Sequence, residues 1–240
     1  MSILLKYFYH FIYFFYQLFI IISKSLTFFT LFVKIKTINL ILVKKMIKNI
    51  IFDIGNVILK FNRDYLLKHF YNGKDYDLLK EKTFYNWELL DEDGLTLEQY
   101  YQNVENSLPK NLSQYALSVL KNWEYFMHYS DGIIDLIREL KQKGYKLYIL
   151  SNMTRHFINN SYKFPILKEF DGIVYSAPIK MVKPNDDIYQ YILNKFNLVA
   201  NECLFVDDTK TNLVAATRFG IQTFHYDSNT DELRNFIFSK

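Results

Sequence analysis

The stretch IKNIIFDIG, residues 47–55, decides the fold of this chain. Residues 47–51 are rich in isoleucine, and Phe52 and Asp53 follow them just before Gly55. A short apolar run that ends at a polar residue and a glycine is typical of a buried parallel strand followed by a loop. Asp53 is therefore predicted to lie at the carboxyl end of this strand.

The same pattern recurs along the chain. Residues 146–150 (KLYIL) are followed by Ser151-Asn152, and residues 203–206 (CLFV) by Asp207-Asp208. Further strands are predicted at 172–175 and 222–224, and helices at 133–142, 187–196 and 211–218. Strands that alternate with helices predict an α/β fold with a doubly wound, Rossmann-like parallel sheet and right-handed crossovers.

One long segment interrupts this alternation. Helical patterns occupy residues 64–71, 77–84, 97–107 and 112–125, and Thr96 provides a helix start before the third of them. We therefore predict a small all-helical cap at residues 64–128, inserted after the first strand. Residues 46–63 and 129–240 would then form the catalytic core.

The charge of the chain is unevenly distributed. Residues 1–45 hold six of the 29 basic residues and none of the acidic ones, which leaves 23 basic against 25 acidic residues in the remainder. The remainder has no positive excess of the kind that nucleic-acid binding requires. The single cysteine, Cys203, excludes an intrachain disulfide, fits a reducing compartment and is expected in the core.

Residues 1–45 form a hydrophobic N-terminal extension with three interpretations. Residues 7–23 are uncharged and long enough to cross a hydrocarbon layer of ~30 Å, so they could anchor the chain on the cytosolic face of a membrane. A cleaved signal peptide is disfavoured, because no small-residue cleavage motif follows. The third interpretation is a non-native start, with Met46 as the true one. We expect a cytoplasmic protein, with membrane contact only if residues 7–23 are a genuine anchor.

Polar residues follow several of the predicted strands. In an open parallel sheet, ligands bind beyond the carboxyl ends of the strands. Those ends carry Asp53, Ser151-Asn152 and Asp207-Asp208, and Lys183 follows the third predicted strand. Each residue alone is common in turns, but carboxylates, a hydroxyl and an amine at one edge indicate a site. The five histidines show no metal-ligand spacing and are expected to be structural or at the surface: His10, His69, His128, His156 and His225.

The order FDIGNV, LSN, KP and DD resembles the haloacid dehalogenase-like superfamily, most of whose members are phosphatases. The closer likeness is to sugar-phosphate phosphatases of the glucose-1-phosphatase type and to the phosphatase domain of soluble epoxide hydrolases. Residues 52–57, 151–155 and 181–184, with 188–189 following, carry it, together with the segment 94–96 of the predicted cap. The resemblance spans residues 46–224.

This resemblance implies a Mg²⁺-dependent phosphatase that acts on a small phosphorylated metabolite, with a sugar phosphate favoured. Asp53 would be the nucleophile that forms an aspartyl-phosphate. Mg²⁺, which prefers hard oxygen ligands, would lie between Asp53, the carbonyl of Gly55 and Asp208. Asp207 and Asn212 would hold metal-bound waters or orient these ligands.

The resemblance also implies groups that bind the phosphoryl oxygens. Ser151 and the backbone of Asn152 would donate hydrogen bonds to them, and Lys183 would neutralise charge on the phosphate and on the nucleophile. Arg63, Trp87 and Arg155 are candidates for contacting substrate. For Trp87, a place in the core of the cap is the simpler interpretation.

One position departs from the superfamily pattern. The residue two after the nucleophile is usually a second Asp that acts as general acid and base, and here it is Gly55. General acid catalysis is typically worth ~10²–10⁴-fold in rate. The leaving-group proton must then come from a water or from a residue of the cap.

Two other functions share this residue pattern. A 2-haloacid dehalogenase uses the same Asp nucleophile without a metal, and the Asp207-Asp208 pair argues against it because that chemistry has no use for the pair. The second alternative is a phospho-ligand-binding protein of the same fold that has lost turnover together with the missing Asp.

Overall fold

The computed structural model describes residues 47–239. The N-terminal extension, with its three interpretations, lies outside these described residues. Between residues 47 and 239, no helix is both long and apolar enough to cross a membrane.

Seven strands form two sheets in the described chain. They are β1 Asn49–Phe52, β2 Leu59–Lys60, β3 His128–Tyr129, β4 Lys146–Ser151, β5 Gly172–Tyr175, β6 Cys203–Asp207 and β7 Gln222–His225. Five of them form a parallel sheet in the order β5-β4-β1-β6-β7, and β2 pairs antiparallel with β3. The predicted α/β fold with its parallel sheet is thereby confirmed.

Helices flank this sheet and fill the segment between β2 and β3. They are α1 Arg63–Phe70, α2 Tyr76–Phe84, α3 Glu88–Asp91, α4 Leu97–Ser107, α5 Lys110–Asn122, α6 Ile133–Gln142, α7 Arg155–Asn160, α8 Ser176–Ile179, α9 Asp186–Lys195, α10 Lys210–Thr217 and α11 Thr230–Phe238. Short 3-10 helices lie at Trp123–Phe126, Ser161–Lys163, Pro165–Glu169 and Ala200–Glu202.

The centre of the sheet is β1, and its side chains fill both faces. Ile50 and Phe52 belong to one apolar cluster and Ile51 to another, and all three are fully buried. Successive side chains of a strand point to opposite faces, so a continuous apolar run is what a strand covered on both sides requires. Cys203 is buried in the second cluster, as expected from the sequence.

The position of β1 in the sheet places Asp53 at a topological switch point. The chain runs from β1 to β4 and β5 on one side, and then returns to β6 and β7 on the other. The connections therefore reverse direction between β1 and β6, which is where open α/β sheets leave a crevice for ligands. The amide of Asp53 donates to the carbonyl of Val206 at 2.9 Å, so the ends of the two strands are held side by side.

We call residues 63–126, between the two short strands β2 and β3, the helical insertion. Its α4 begins with a capping box, in which the Thr96 hydroxyl accepts from the Gln99 amide at 3.2 Å and the Gln99 side chain accepts from the Thr96 amide at 2.9 Å. The β2-β3 ribbon at its base was not predicted, because two-residue strands show no periodicity. The helix predicted to reach residue 125 ends at Asn122 and continues as a 3-10 turn.

Asp171 joins three elements of the core near the start of β5. Its carboxylate accepts from the Leu147 amide and from the ammonium groups of Lys141 and Lys146, each at 2.9 Å. Burial opposes the charged form, but the Leu147 amide and the two lysines lower the pKa of Asp171 to about 2. The charged carboxylate therefore stabilises the fold.

We expect Asp171→Asn to lower the free energy of unfolding by about 1–3 kcal/mol at neutral pH, because hydrogen bonds to charged groups are lost. The pKa of Asp171 is lower in the folded chain than in the unfolded one. The stabilisation is thus complete above the ordinary Asp pKa and is lost as the pH falls towards about 2. Urea titrations of both proteins from pH 7 to pH 2 would measure it, with the exposed Asp231→Asn as control. A pH-independent difference would contradict this account.

Candidate active site

A buried lysine joins the two central strands of the sheet. The ammonium of Lys183 lies 2.9 Å from Oδ1 of Asp53 and 2.7 Å from Oδ2 of Asp207. The Lys183 side chain is 1% exposed and the Asp207 side chain is fully buried. Burial favours the neutral amine, but the carboxylates of Asp207 and Asp53 outweigh it and raise the pKa of Lys183. The lysine is therefore a fixed positive charge.

The end of β4 holds the backbone of this lysine in place. The Asn152 side chain donates to the Lys183 carbonyl at 2.9 Å and accepts from the Lys183 amide at 2.8 Å. An amide side chain can make this reciprocal pair because it carries both a donor and an acceptor. Asn152 thus fixes the loop after α8 so that the Lys183 side chain reaches across to β1 and β6.

Asp53 follows β1 directly, and its carboxylate is held from two further directions. Its Oδ1 accepts from the Ile54 amide at 2.7 Å, and the Ser151 hydroxyl donates to the same carboxylate. Burial raises the pKa of Asp53 to about 6, an effect that Lys183 opposes and the charge of Asp207 reinforces. A nucleophilic carboxylate is more reactive when it is oriented and poorly solvated.

The two consecutive aspartates after β6 have different surroundings. Both oxygens of Asp207 are occupied: Oδ1 accepts from the Thr209 amide at 2.8 Å, Oδ2 accepts from Lys183, and Nδ2 of Asn212 lies 3.1 Å from each. Asp208 is only half-buried. Asp207 is therefore committed to the protein. Within the described chain, Asp208 accepts only one hydrogen bond per oxygen, from Asn56 and from the Thr209 hydroxyl, and is the more accessible of the two to a ligand.

Asp208 faces a cavity of about 700 Å³ that Asn56, Tyr65 and His225 also line. Nδ2 of Asn56 donates to Oδ2 of Asp208 at 3.1 Å and Nε2 of His225 lies 3.0 Å from the Asp208 carbonyl. The sequence did not single out Asn56 as a site residue, and His225 was expected to be structural or at the surface; it is exposed. Asn56 has a positive φ of 54°, and asparagine tolerates this conformation better than most residues. An asparagine directly after Gly55 is therefore a weak sequence signal of a tight turn beside Asp53.

Three carboxylates form a group that could hold a metal ion. One oxygen each from Asp53, Asp207 and Asp208 lies within 4.8 Å of the others. When ionised, the three carboxylates carry two more negative charges than Lys183 neutralises, so the group attracts cations. All of its ligand atoms are oxygens, and one carboxylate is open to solvent. This donor set fits Mg²⁺ better than a softer metal.

The structure does not bring every predicted residue to this group. Arg155 forms two hydrogen bonds with the Asp93 carboxylate of the helical insertion, at 2.5 and 3.0 Å. The Arg63 guanidinium lies 5.0 Å from the centre of the Phe84 ring and 5.8 Å from that of Trp87. Trp87 is buried among aromatic rings, which agrees with the simpler interpretation of a packing residue.

We expect Lys183→Met to lower the free energy of unfolding by about 3–5 kcal/mol, because two buried carboxylates would face each other without a counter-charge. The measurement is a denaturant titration in EDTA, so that bound metal does not compensate. Lys74→Met removes an exposed lysine and should change the free energy of unfolding by less than about 0.5 kcal/mol. Equal stability of the two variants would contradict the view that Lys183 is a fixed buried charge.

Comparisons with known proteins find a matching family and several relatives. The family described as haloacid dehalogenase-like hydrolase matches residues 50–226. A D-ribitol-5-phosphate phosphatase of Bacteroides thetaiotaomicron is 27% identical over 199 residues, covering 78% of this chain and 95% of that protein. The (S)-2-haloacid dehalogenase 4A of Burkholderia cepacia is 28% identical over 138 residues, covering 57% of each chain.

A solved structure shares the fold. It is an enzyme of the same haloacid dehalogenase family from Bacteroides thetaiotaomicron, in complex with magnesium and inorganic phosphate. It superposes with a TM-score of 0.62 at 20% identity and covers 76% of this chain and 96% of its own.

Proposed function

Because this chain belongs to the haloacid dehalogenase-like hydrolases, we propose that it is a Mg²⁺-dependent phosphatase of small phosphorylated metabolites, with sugar phosphates favoured. The family membership confirms the resemblance expected from the sequence and makes the chain a hydrolase. One observation carries the proposal: Lys183 lies between Asp53 and Asp207 at the switch point of the sheet, beside the half-exposed Asp208.

The reaction begins with attack by Asp53. A carboxylate oxygen forms a bond to phosphorus while the bond from phosphorus to the leaving-group oxygen breaks, which gives an aspartyl-phosphate. A water molecule then attacks phosphorus, releases inorganic phosphate and restores the carboxylate. The contacts of Asp53 with the Ile54 amide, Ser151 and Lys183 support this role, since they fix its orientation before substrate arrives.

Asp53 and Asp208, together with the carbonyl of Gly55, would hold the magnesium ion, and Asp207 and Asn212 would orient them. Mg²⁺ supplies positive charge that lets an anionic nucleophile approach an anionic phosphate ester. The saturated hydrogen bonds of Asp207 suit a positioning role, because little of its carboxylate remains for an ion. Because Asp208 lines the cavity, it is suited to bind the ion directly.

The charge that develops on the phosphoryl oxygens would meet donors at the end of β4. Ser151 and the backbone amide of Asn152 would donate hydrogen bonds to these oxygens, and the Lys183 ammonium would stabilise their negative charge. Lys183 is rigid, and the Asn152 side chain holds its backbone, so the electrostatic stabilisation requires little rearrangement.

The helical insertion would act as a cap over the site and exclude water during the reaction. Its contact with the core through Arg155 and Asp93 supports this proposal, because Arg155 lies only a few residues after Ser151. Arg155 and Arg63 would contribute positive charge near an anionic substrate when the cap opens and closes. Closure around a polyol chain is consistent with the similarity to a D-ribitol-5-phosphate phosphatase.

The dehalogenase alternative is less well supported. Its chemistry has no use for a metal, whereas this chain places three carboxylates within 4.8 Å of one another. A dehalogenase would therefore carry a group of repelling charges without a function.

We expect the purified full chain to hydrolyse ribitol 5-phosphate or a related sugar phosphate in Mg²⁺, and EDTA to abolish the reaction. Asp53→Asn should reduce the rate by at least ~10⁴-fold, because the amide cannot form the covalent intermediate. Released phosphate is the readout, and Asp231→Asn serves as an exposed control. Failure to cleave any phosphate ester, aryl phosphates included, would end the phosphatase proposal. Chelator-resistant halide release would favour the dehalogenase.

We also expect the neighbouring aspartates to differ in what they stabilise. Asp208→Asn should raise the Mg²⁺ concentration for half-maximal activity by about tenfold or more while leaving the stability in EDTA nearly unchanged. Asp207→Asn should lower the stability in EDTA, since its carboxylate is fully hydrogen-bonded and pairs with Lys183. Mg²⁺ titrations and denaturant titrations measure the two effects, and the opposite pattern would reverse the two roles.

A further inference from the structure

Asp91 ends α3 in the helical insertion, and its backbone is tied to the core beside the candidate active site. The Ser176 hydroxyl donates to the Asp91 carbonyl at 2.6 Å and accepts from the Met153 amide at 2.9 Å. Met153 comes two residues after Ser151, which contacts Asp53. A single hydroxyl thus connects α3 to the strand end that carries the site.

A second contact between the insertion and the core lies two residues after Asp91, where Arg155 donates two hydrogen bonds to the Asp93 carboxylate. Together with the hydrogen bond from Ser176, it holds the end of α3 against the core. The Asp91 residue is partly buried in this position. The insertion therefore holds Asp91 at a fixed place beside the core.

The carboxyl of Asp91 lies among the charges of the site without being paired to any of them. Asp53 and Lys183 act on it from the core, and Arg63 and Glu88 act on it from the insertion. Within residues 47–239, no hydrogen bond or ion pair engages this carboxyl, whereas Asp93 is paired with Arg155. A partly buried acid that lies within electrostatic reach of Asp53 and Lys183 and is left unpaired is free to interact with a substrate.

The protonation of Asp91 is compatible with a role as an acid. Burial raises the pKa of Asp91 to about 7; the charges of Asp53 and Glu88 act in the same direction, and those of Arg63 and Lys183 oppose them. A substantial share of the carboxyl is then protonated near neutral pH, which suits a general acid that works there.

Gly55 provides no proton donor. A Cβ atom placed on it would meet nothing within 4 Å, so the space beside the end of β1 is open to a leaving group.

We propose that Asp91 protonates the oxygen of the leaving group and so replaces the acid that Gly55 lacks. This inference rests on the proposed phosphatase function. As Asp53 bonds to phosphorus and the leaving-group bond breaks, the Asp91 proton moves to the departing oxygen and an alcohol leaves. The Asp91 carboxylate then accepts a proton from the water that attacks the aspartyl-phosphate. Asp91 thus ends the cycle protonated, with the proton from water replacing the one that left with the alcohol.

The test compares two leaving groups in the full-length chain with Mg²⁺. Asp91→Asn should lower kcat for ribitol 5-phosphate by ~10²–10⁴-fold, because an alkoxide leaves poorly without a proton. Its kcat for p-nitrophenyl phosphate should change by only a few fold, since that phenolate leaves unaided. The same aryl activity shows that the variant is folded. Glu92→Gln, the exposed neighbour, is the matched control and should leave both rates unchanged.

The pH dependence of the native enzyme gives a second test that needs no variant. Asp91 must be protonated to act, so the rate with the alkyl ester should fall as the pH rises through the pKa of this acid. The fall should be absent with the aryl ester. Equal losses with both esters in Asp91→Asn, or identical pH profiles in the native enzyme, would overturn the role of Asp91 and leave the phosphatase intact. Failure of the native enzyme to cleave any phosphate ester, these two included, would instead remove the proposed function.

Discussion

The buried ammonium of Lys183 is the interaction on which the rest of the site depends. It lies within 2.9 Å of Asp53 and 2.7 Å of Asp207, on adjacent strands whose carboxylates would otherwise repel each other in a low-dielectric interior. The position of the lysine requires the loop after α8, and Asn152 holds the backbone of that loop. One charge thus connects the ends of β1 and β6, and the Asn152 side chain links the backbone of the same lysine to the end of β4. Without this charge, Asp53 would keep its hydrogen bonds with the Ile54 amide and Ser151 but would lose the positive charge that favours its ionised form.

This constraint also explains how the aspartates divide their roles. Asp207 neutralises the lysine and is saturated by Thr209 and Asn212, so it maintains the site. Asp208 stands one residue further along, beyond the end of β6, and opens towards a cavity. Asp207 is the last residue of the buried strand and Asp208 the first residue after it, so the strand end separates a structural carboxylate from one that is more accessible to a ligand. The helical insertion then adds Asp91, whose backbone carbonyl accepts a hydrogen bond from the Ser176 hydroxyl of the core.

The sequence contained much of this fold because the central strands are continuous apolar runs with polar ends. Residues 47–53, 146–151 and 203–208 show it clearly, and the parallel arrangement of the strands follows from their alternation with helices. The capping box at Thr96 was also visible as a helix start. The β2-β3 ribbon, the four-residue α3 and the pairing of Arg155 with Asp93 could not be predicted, because tertiary contacts create them. Nothing in the sequence distinguishes Asp91 from its acidic neighbours Glu88, Glu92 and Asp93, since only the folded chain leaves its carboxyl unpaired near Asp53.

The central claim is that the carboxylate held by Lys183 attacks phosphorus. The most direct measurement is to quench the enzyme during turnover of a sugar phosphate in Mg²⁺, reduce it with borohydride and map the peptides by mass spectrometry. An aspartyl-phosphate at Asp53 would be reduced to homoserine at that position, and we expect this conversion there and at no other aspartate. Turnover without any modified aspartate, or with the modification at Asp207, Asp208 or Asp91, would contradict the account.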